Sequence, residues 1–79
     1  MDEAALFLDT RGTFCPVPLL RTRDRLRALP GGAILTVLAD DPAAALDLRA
    51  FCRSHGHAVL DCTSESGGVI RLTLRKGAA

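Results

Sequence analysis

Cys15-Pro16-Val17-Pro18 constrains this chain more than any other stretch. It puts a thiol directly before a proline, where an extended segment turns into a helix. Proline is favoured at the first helical position, because its missing N–H would be unpaired there and its φ is already helical. Cys15 is therefore expected as the N-cap, with its sulfur over the open N–H groups and the positive end of the helix dipole. Pro16 and Pro18 have no donors, so Val17 and Leu19 carry the nearest ones. An anion is stabilised at such a place, and a cysteine anion is a nucleophile. A helix N-terminus contributes ~0.3–1 kcal/mol to a nearby negative charge, and up to ~2 when partly buried. At ~1.36 kcal/mol per pKa unit, a thiol starting near ~8.5 is expected to fall by roughly one unit. The thiolate fraction at neutral pH would rise from about 3% to about 25%. Stronger activation needs a further base or cation. The competing reading makes Cys15 a buried apolar cap with no chemistry.

At 79 residues the chain has room for one small domain, taken as residues 1–79. Hydrophobic residues make up 48% of it, but there is no Trp or Tyr and only three Phe, so the core must be aliphatic. A net charge of +1 argues against a general nucleic-acid or anionic-membrane binder. The three cysteines, at 15, 52 and 62, are odd in number and widely spaced. That is no disulfide framework, and it fits a reducing cytosol and a cytoplasmic location. Met1-Asp2-Glu3-Ala4-Ala5-Leu6 is acidic and does not read as a signal peptide. No apolar run approaches the ~20 residues that span a bilayer. No internal repeat or linker is evident.

Leu6-Phe7-Leu8-Asp9 reads as a first strand, with Leu6 and Leu8 on one face, and Gly12 allows a tight turn after it. A helix is expected from Pro16 to about Leu29, with Leu19, Thr22, Leu26 and Leu29 on one stripe, ended by Pro30-Gly31-Gly32. Ala33 to Ala39 is nearly all apolar, as in a central strand. Asp41 caps a second helix that opens at Pro42 and runs to Gly56, its inner face carrying Ala44, Leu48, Phe51 and His55 with Cys52 beside them. His57–Thr63 and Val69–Arg75 read as the last two strands, joined by a turn at Ser64–Gly68. In the final strand Ile70, Leu72 and Leu74 alternate with Arg71, Thr73 and Arg75. The order is βαβαββ. Helical crossovers imply that strands one to three lie parallel to their partners, with a closing hairpin. The economical architecture is a two-layer α/β (α+β) sandwich: a four-stranded mixed sheet with both helices on one face.

The run Leu8-Asp9-x-x-Gly12-x-x-Cys15-Pro16-x-Pro18 resembles the signature of the TusA/SirA family of small sulfur-carrier proteins. The resemblance continues through Asp40-Asp41-Pro42-Ala43, Phe51-Cys52, Gly56-His57 and Arg75-Lys76-Gly77. One departure is Thr13, which follows Gly12 where the family often has an apolar residue. The resemblance implies a two-layer βαβαββ fold and a relay function. Cys15 would accept sulfur as a persulfide from a cysteine desulfurase or rhodanese-type donor. It would pass the sulfur to an acceptor protein in tRNA thiolation, molybdenum-cofactor biosynthesis or sulfur oxidation. Gly12, Pro16, Pro18 and Asp41 would support the motif. No cofactor beyond the covalent persulfide sulfur, no metal, no membrane and no direct nucleic-acid partner is implied, and a monomer is expected.

Relay suits the local physics, since a loop-to-helix junction exposes a thiol on a rigid support. A neighbouring cysteine would resolve the persulfide into a disulfide, and Cys52 and Cys62 are remote in sequence. Arg23 and Arg27, four apart on the first helix, match basic residues of the family and read as a docking stripe for an acidic partner surface. The plainer reading is a solvated face eased by Asp24. Asp40 is left without a clear task. Cys52-x-x-His55-x-His57 has metal-ligand spacing. However, Cys52 falls on the apolar side, as a small core residue, and His55 reads as a helix-end histidine. Whether the chain is an enzyme in its own right stays open, because such a carrier needs partners to turn over. A different class, a non-catalytic interaction module with Cys15 as a structural cap, competes with it.

Overall fold

Proline and aspartate punctuation divides the chain as expected. The computed structural model describes residues 6–77, so the acidic segment 1–5 lies outside the described residues. The elements are β1 (Phe7–Asp9), α1 (Val17–Ala28), β2 (Ile34–Ala39), α2 (Pro42–Ser54), β3 (Ala58–Ser64) and β4 (Ile70–Arg75). A 3₁₀ turn, Ser66–Gly68, joins the last two strands. Asp41 caps α2 through its side chain, which accepts the Ala43 N–H. His55 closes that helix, and Gly56 follows in the left-handed region at φ 75°.

The strands lie in the order β1-β2-β4-β3. β1 pairs in parallel with β2, while β4 pairs antiparallel with both β2 and β3. This corrects one expectation. β3 runs in the same direction as β2 but does not lie parallel to its partner. The crossover through α2 leaves one strand position vacant beside β2, and the closing hairpin fills it with β4. Alternation makes β4 suited to that place, since Leu72 and Leu74 are fully buried with Arg71 and Thr73 on the other face.

Cross-strand partners on the covered face are apolar: Leu8 faces Val37, Leu35 faces Leu74, and Val37 faces Leu72. A register shift between Val59 and Asp61 places Val59 opposite Leu74 and Cys62 opposite Leu72. Leu60 is the extra residue of this bulge and remains 47% exposed. Leu26 from α1 and Leu48 and Cys52 from α2 complete the cluster, so both helices cover one face. The core is aliphatic, as composition requires, and each fully buried leucine contributes roughly 1.5–3 kcal/mol. Because β1 and β2 are parallel and each feeds a helix running back, both helix N-termini meet at the carboxyl ends of these strands.

Candidate functional site: the thiol junction

The site is the segment from Thr10 to Val17 together with the start of α2. Thr10 donates both its N–H (2.8 Å) and its hydroxyl (2.6 Å) to the Leu38 carbonyl, prolonging the β1–β2 pairing beyond the strand. Its own carbonyl accepts the Thr13 hydroxyl at 2.6 Å. Gly12 sits at φ 84°, a conformation that a side chain would strain. Its N–H points at both carboxylate oxygens of Asp40, at 3.0 and 3.1 Å. Asp41 Oδ2 accepts the Cys15 N–H at 2.8 Å, while Oδ1 accepts the Ala43 N–H at 3.1 Å. The two consecutive aspartates therefore grip the loop at Gly12 and Cys15. Asp40, left unassigned by the sequence, holds the turn. Arg11 closes on Asp9 at 2.7 Å, and that contact holds the Asp9 carboxyl down at about 2.

Two expectations about Cys15 are corrected. The N-cap of α1 is Pro16, with no side-chain cap bond, and Cys15 stands one residue further out, exposed. The Cys15–Pro16 peptide is cis. The Val17 N–H, expected to lie open beneath the sulfur, is taken by the Phe14 carbonyl at 2.8 Å. The sulfur turns instead to the other helix, where Sγ donates to Asp47 Oδ2 at 2.6 Å. The thiol pKa is consequently raised rather than lowered. The hydrogen bond to Asp47 is the main cause, followed by desolvation and the charges of Asp47 and Asp41. A carboxylate at contact distance outweighs a helix dipole worth ~0.3–1 kcal/mol. Cys15 is thus neither a buried apolar cap nor an activated thiolate at rest.

The supporting prolines differ. Pro18 is buried in the first turn of α1, whereas Pro16 is exposed at its N-cap. Arg23 and Arg27 share Asp24, at 3.0 and 4.0 Å. They also line a groove of about 320 Å³ with Phe51, His55, His57 and Lys76. A rise of about 1.5 Å per residue puts Arg27 roughly 15 Å along α1 from Val17, so the stripe leads away from the junction. Phe51 stacks on His55 with ring centroids 4.3 Å apart, and His55 Nδ1 lies 3.0 Å from the Phe51 carbonyl. Cys52 is fully buried, as expected of a core residue. Sequence reasoning missed Asp47, Thr10 and Thr13. Asp47 lies 32 residues from Cys15, and nothing local marks it.

Fold and junction together define a class: a small two-layer α+β protein that presents one thiol at the mouth of its first helix. The sequence places it further. The chain belongs to the TusA sulfurtransferase family, whose model matches residues 6–76. A sulfur carrier protein of Neisseria meningitidis serogroup B, named as putative, is 46% identical over 86% of this chain and 90% of its own length. The sulfur carrier protein TusA of Allochromatium vinosum is 35% identical over 87% of this chain and 90% of its own length. A longer Bacillus subtilis protein, also named a putative sulfur carrier, is 38% identical over 98% of this chain, which spans only 41% of that relative. Among solved structures, the SirA-like protein of Desulfitobacterium hafniense superposes with a TM-score of 0.81 at 28% identity, covering 90% of this chain and 96% of that one. It matches the four-stranded mixed sheet with two helices.

Proposed function

We propose that this protein is a sulfur carrier that accepts sulfur as a persulfide on Cys15 and passes it to an acceptor protein. The exposure of Cys15 on a junction tied to both helices carries this reading, together with membership in a family whose relatives are named sulfur carriers. The donor is a cysteine desulfurase or rhodanese-type protein. The acceptor belongs to tRNA thiolation, molybdenum-cofactor biosynthesis or sulfur oxidation. The carrier works in the cytoplasm as a monomeric domain over residues 1–79. Among the described residues, no helix is long and apolar enough to cross a membrane. Incubation with a cysteine desulfurase and free cysteine adds the mass of one or more sulfur atoms in this reading. Cys15→Ser abolishes the gain, whereas Cys52→Ala and Cys62→Ser keep it. Full loading of Cys15→Ser ends the assignment.

Docking on the donor uses the groove that begins at Arg23 and Arg27, whose cations fit an acidic surface. Reversing both to Glu slows transfer from the protein donor, mostly by lowering association. It changes alkylation of Cys15 by a small neutral reagent much less. Equal slowing of both reactions would show that the stripe acts on the thiol and not on docking.

A further inference from the structure

The contact between Cys15 and Asp47 joins the first helix's entry loop to the middle of the second helix. Asp47 is half-buried, and its Oδ2 meets the sulfur at 2.6 Å. Asp41 holds the backbone N–H of the same residue from the same helix start. The sulfur thus faces the Asp47 carboxylate, with Asp41 holding the backbone beside it, while Asp40 is occupied by Gly12 and Arg11 by Asp9. An S–H group satisfies such a site because it donates. A sulfur anion does not, because carboxylates only accept and like charges repel.

We propose that Asp47 is a positioning residue for sulfur transfer: it holds the Cys15 sulfur against α2 while that sulfur is protonated and releases it outward once it carries a persulfide anion. The proposal rests on the persulfide reading above. In the loading step, the Cys15 sulfur attacks the terminal sulfur of the donor's persulfide. The new S–S bond forms at Cys15, the donor's S–S bond breaks, and the donor cysteine leaves with the bonding electron pair. The proton lost by Cys15 ends on the donor cysteine. One thiol and one persulfide anion become one persulfide anion and one thiol, with no net oxidation. A persulfide is more acidic than its parent thiol, so the loaded sulfur is anionic at neutral pH. The charge change that loading brings is the one to which a carboxylate responds. Asp47 keeps the empty carrier quiet and drives the loaded sulfur away from α2, toward the acceptor.

The unloaded half of the proposal is tested by the pH dependence of Cys15 alkylation with iodoacetamide, in wild type and in Asp47→Asn, with Cys62→Ser in both backgrounds. Losing the carboxylate lowers the midpoint, and each unit of that fall raises the thiolate fraction at neutral pH about tenfold. Intrinsic nucleophilicity falls with pKa at a Brønsted slope of ~0.4–0.5, or about threefold per unit. The variant therefore reacts faster at pH 7 and slower on the alkaline plateau, by about threefold per unit in each case, and the two curves cross. Asp47→Ala, which offers the thiol no side-chain acceptor, shows the same crossing. An unchanged midpoint in both variants overturns the proposal. So does a parallel rise at every pH, which marks simple uncovering of the sulfur. The loaded half uses protein persulfidated with inorganic polysulfide. There the Asp47→Asn persulfide alkylates no faster than the wild-type one, and a threefold faster reaction would show that Asp47 still retains the loaded sulfur. Neither assay needs a protein donor, so failure of desulfurase loading and failure of the Asp47 role are read separately.

Discussion

Cys15 and Cys52 are both held protonated, and for opposite reasons. At the junction, a carboxylate on a neighbouring helix raises the Cys15 pKa while the sulfur stays exposed. Under α2, burial among Leu48, Leu72 and their neighbours pushes the Cys52 thiol up. Moving one side chain releases the first restraint, whereas only opening the core releases the second. The same direction of shift thus describes an exposed thiol held by one side chain and a thiol enclosed by the core.

The largest effect that would break this contrast is in native-state labelling. Stability of roughly 0.05–0.15 kcal/mol per residue makes complete unfolding of such a chain rare, by about a thousandfold or more. Cys52 is expected to label slower than Cys15 by on the order of several hundredfold or more at pH 8, followed by mass spectrometry, since the raised Cys15 pKa offsets part of that factor. A ratio under about a hundred would mean that the last turn of α2, which contains Cys52, opens locally. Next comes stability in denaturant. Cys52→Asp is expected to cost about 3 kcal/mol or more through an unpaired buried charge. Cys15→Ser should stay within about 0.5 kcal/mol, because the serine hydroxyl donates to Asp47 in place of the thiol. A reversed order would mean that the two environments have been exchanged.

Asp41→Ala tests a smaller difference. It removes the cap of α2, at a cost of about 1 kcal/mol. It also frees the Cys15 backbone, so Cys15 alkylation changes while Cys52 labelling follows global stability alone. The smallest effect is in pH and salt. Both thiols have folded-state pKa values above their unfolded ones, so the folded state binds both protons more tightly. Their contributions to stability are complete below about 8.5 and are lost as pH rises through the folded values. Denaturation midpoints should decline on that alkaline side, and Cys52→Ala should remove part of the decline. Raising salt to 1 M shortens the Debye length to about 3 Å. The Cys15 midpoint should then fall, while the buried thiol does not respond.

Much of the architecture was legible in local patterns. Pro42 after Asp41 announced α2 and its cap, alternation in β4 named its buried face, and the leucine stripe of α1 named its inner side. These follow from backbone geometry over a few residues, which local sequence specifies. The thiol itself was legible because two prolines flank the start of a helix. Its electrostatic state was not. From the helix dipole alone the pKa should fall, yet it rises, because Asp47 arrives from 32 residues away once α1 and α2 pack side by side. The Asp40 contact with Gly12, across 28 residues, was hidden in the same way.

The sequence by itself determined where helices begin, which side chains are apolar enough to be buried, and that Cys15 lies at a junction. Periodicity and proline chemistry act within a few residues, so they survive being read along a line. Only the tertiary structure decided that β4 sits between β2 and β3, and that the sulfur of Cys15 faces the Asp47 carboxylate instead of open N–H groups. Both depend on which distant segments become neighbours, and a charge at contact distance overrides the weaker field of a helix end.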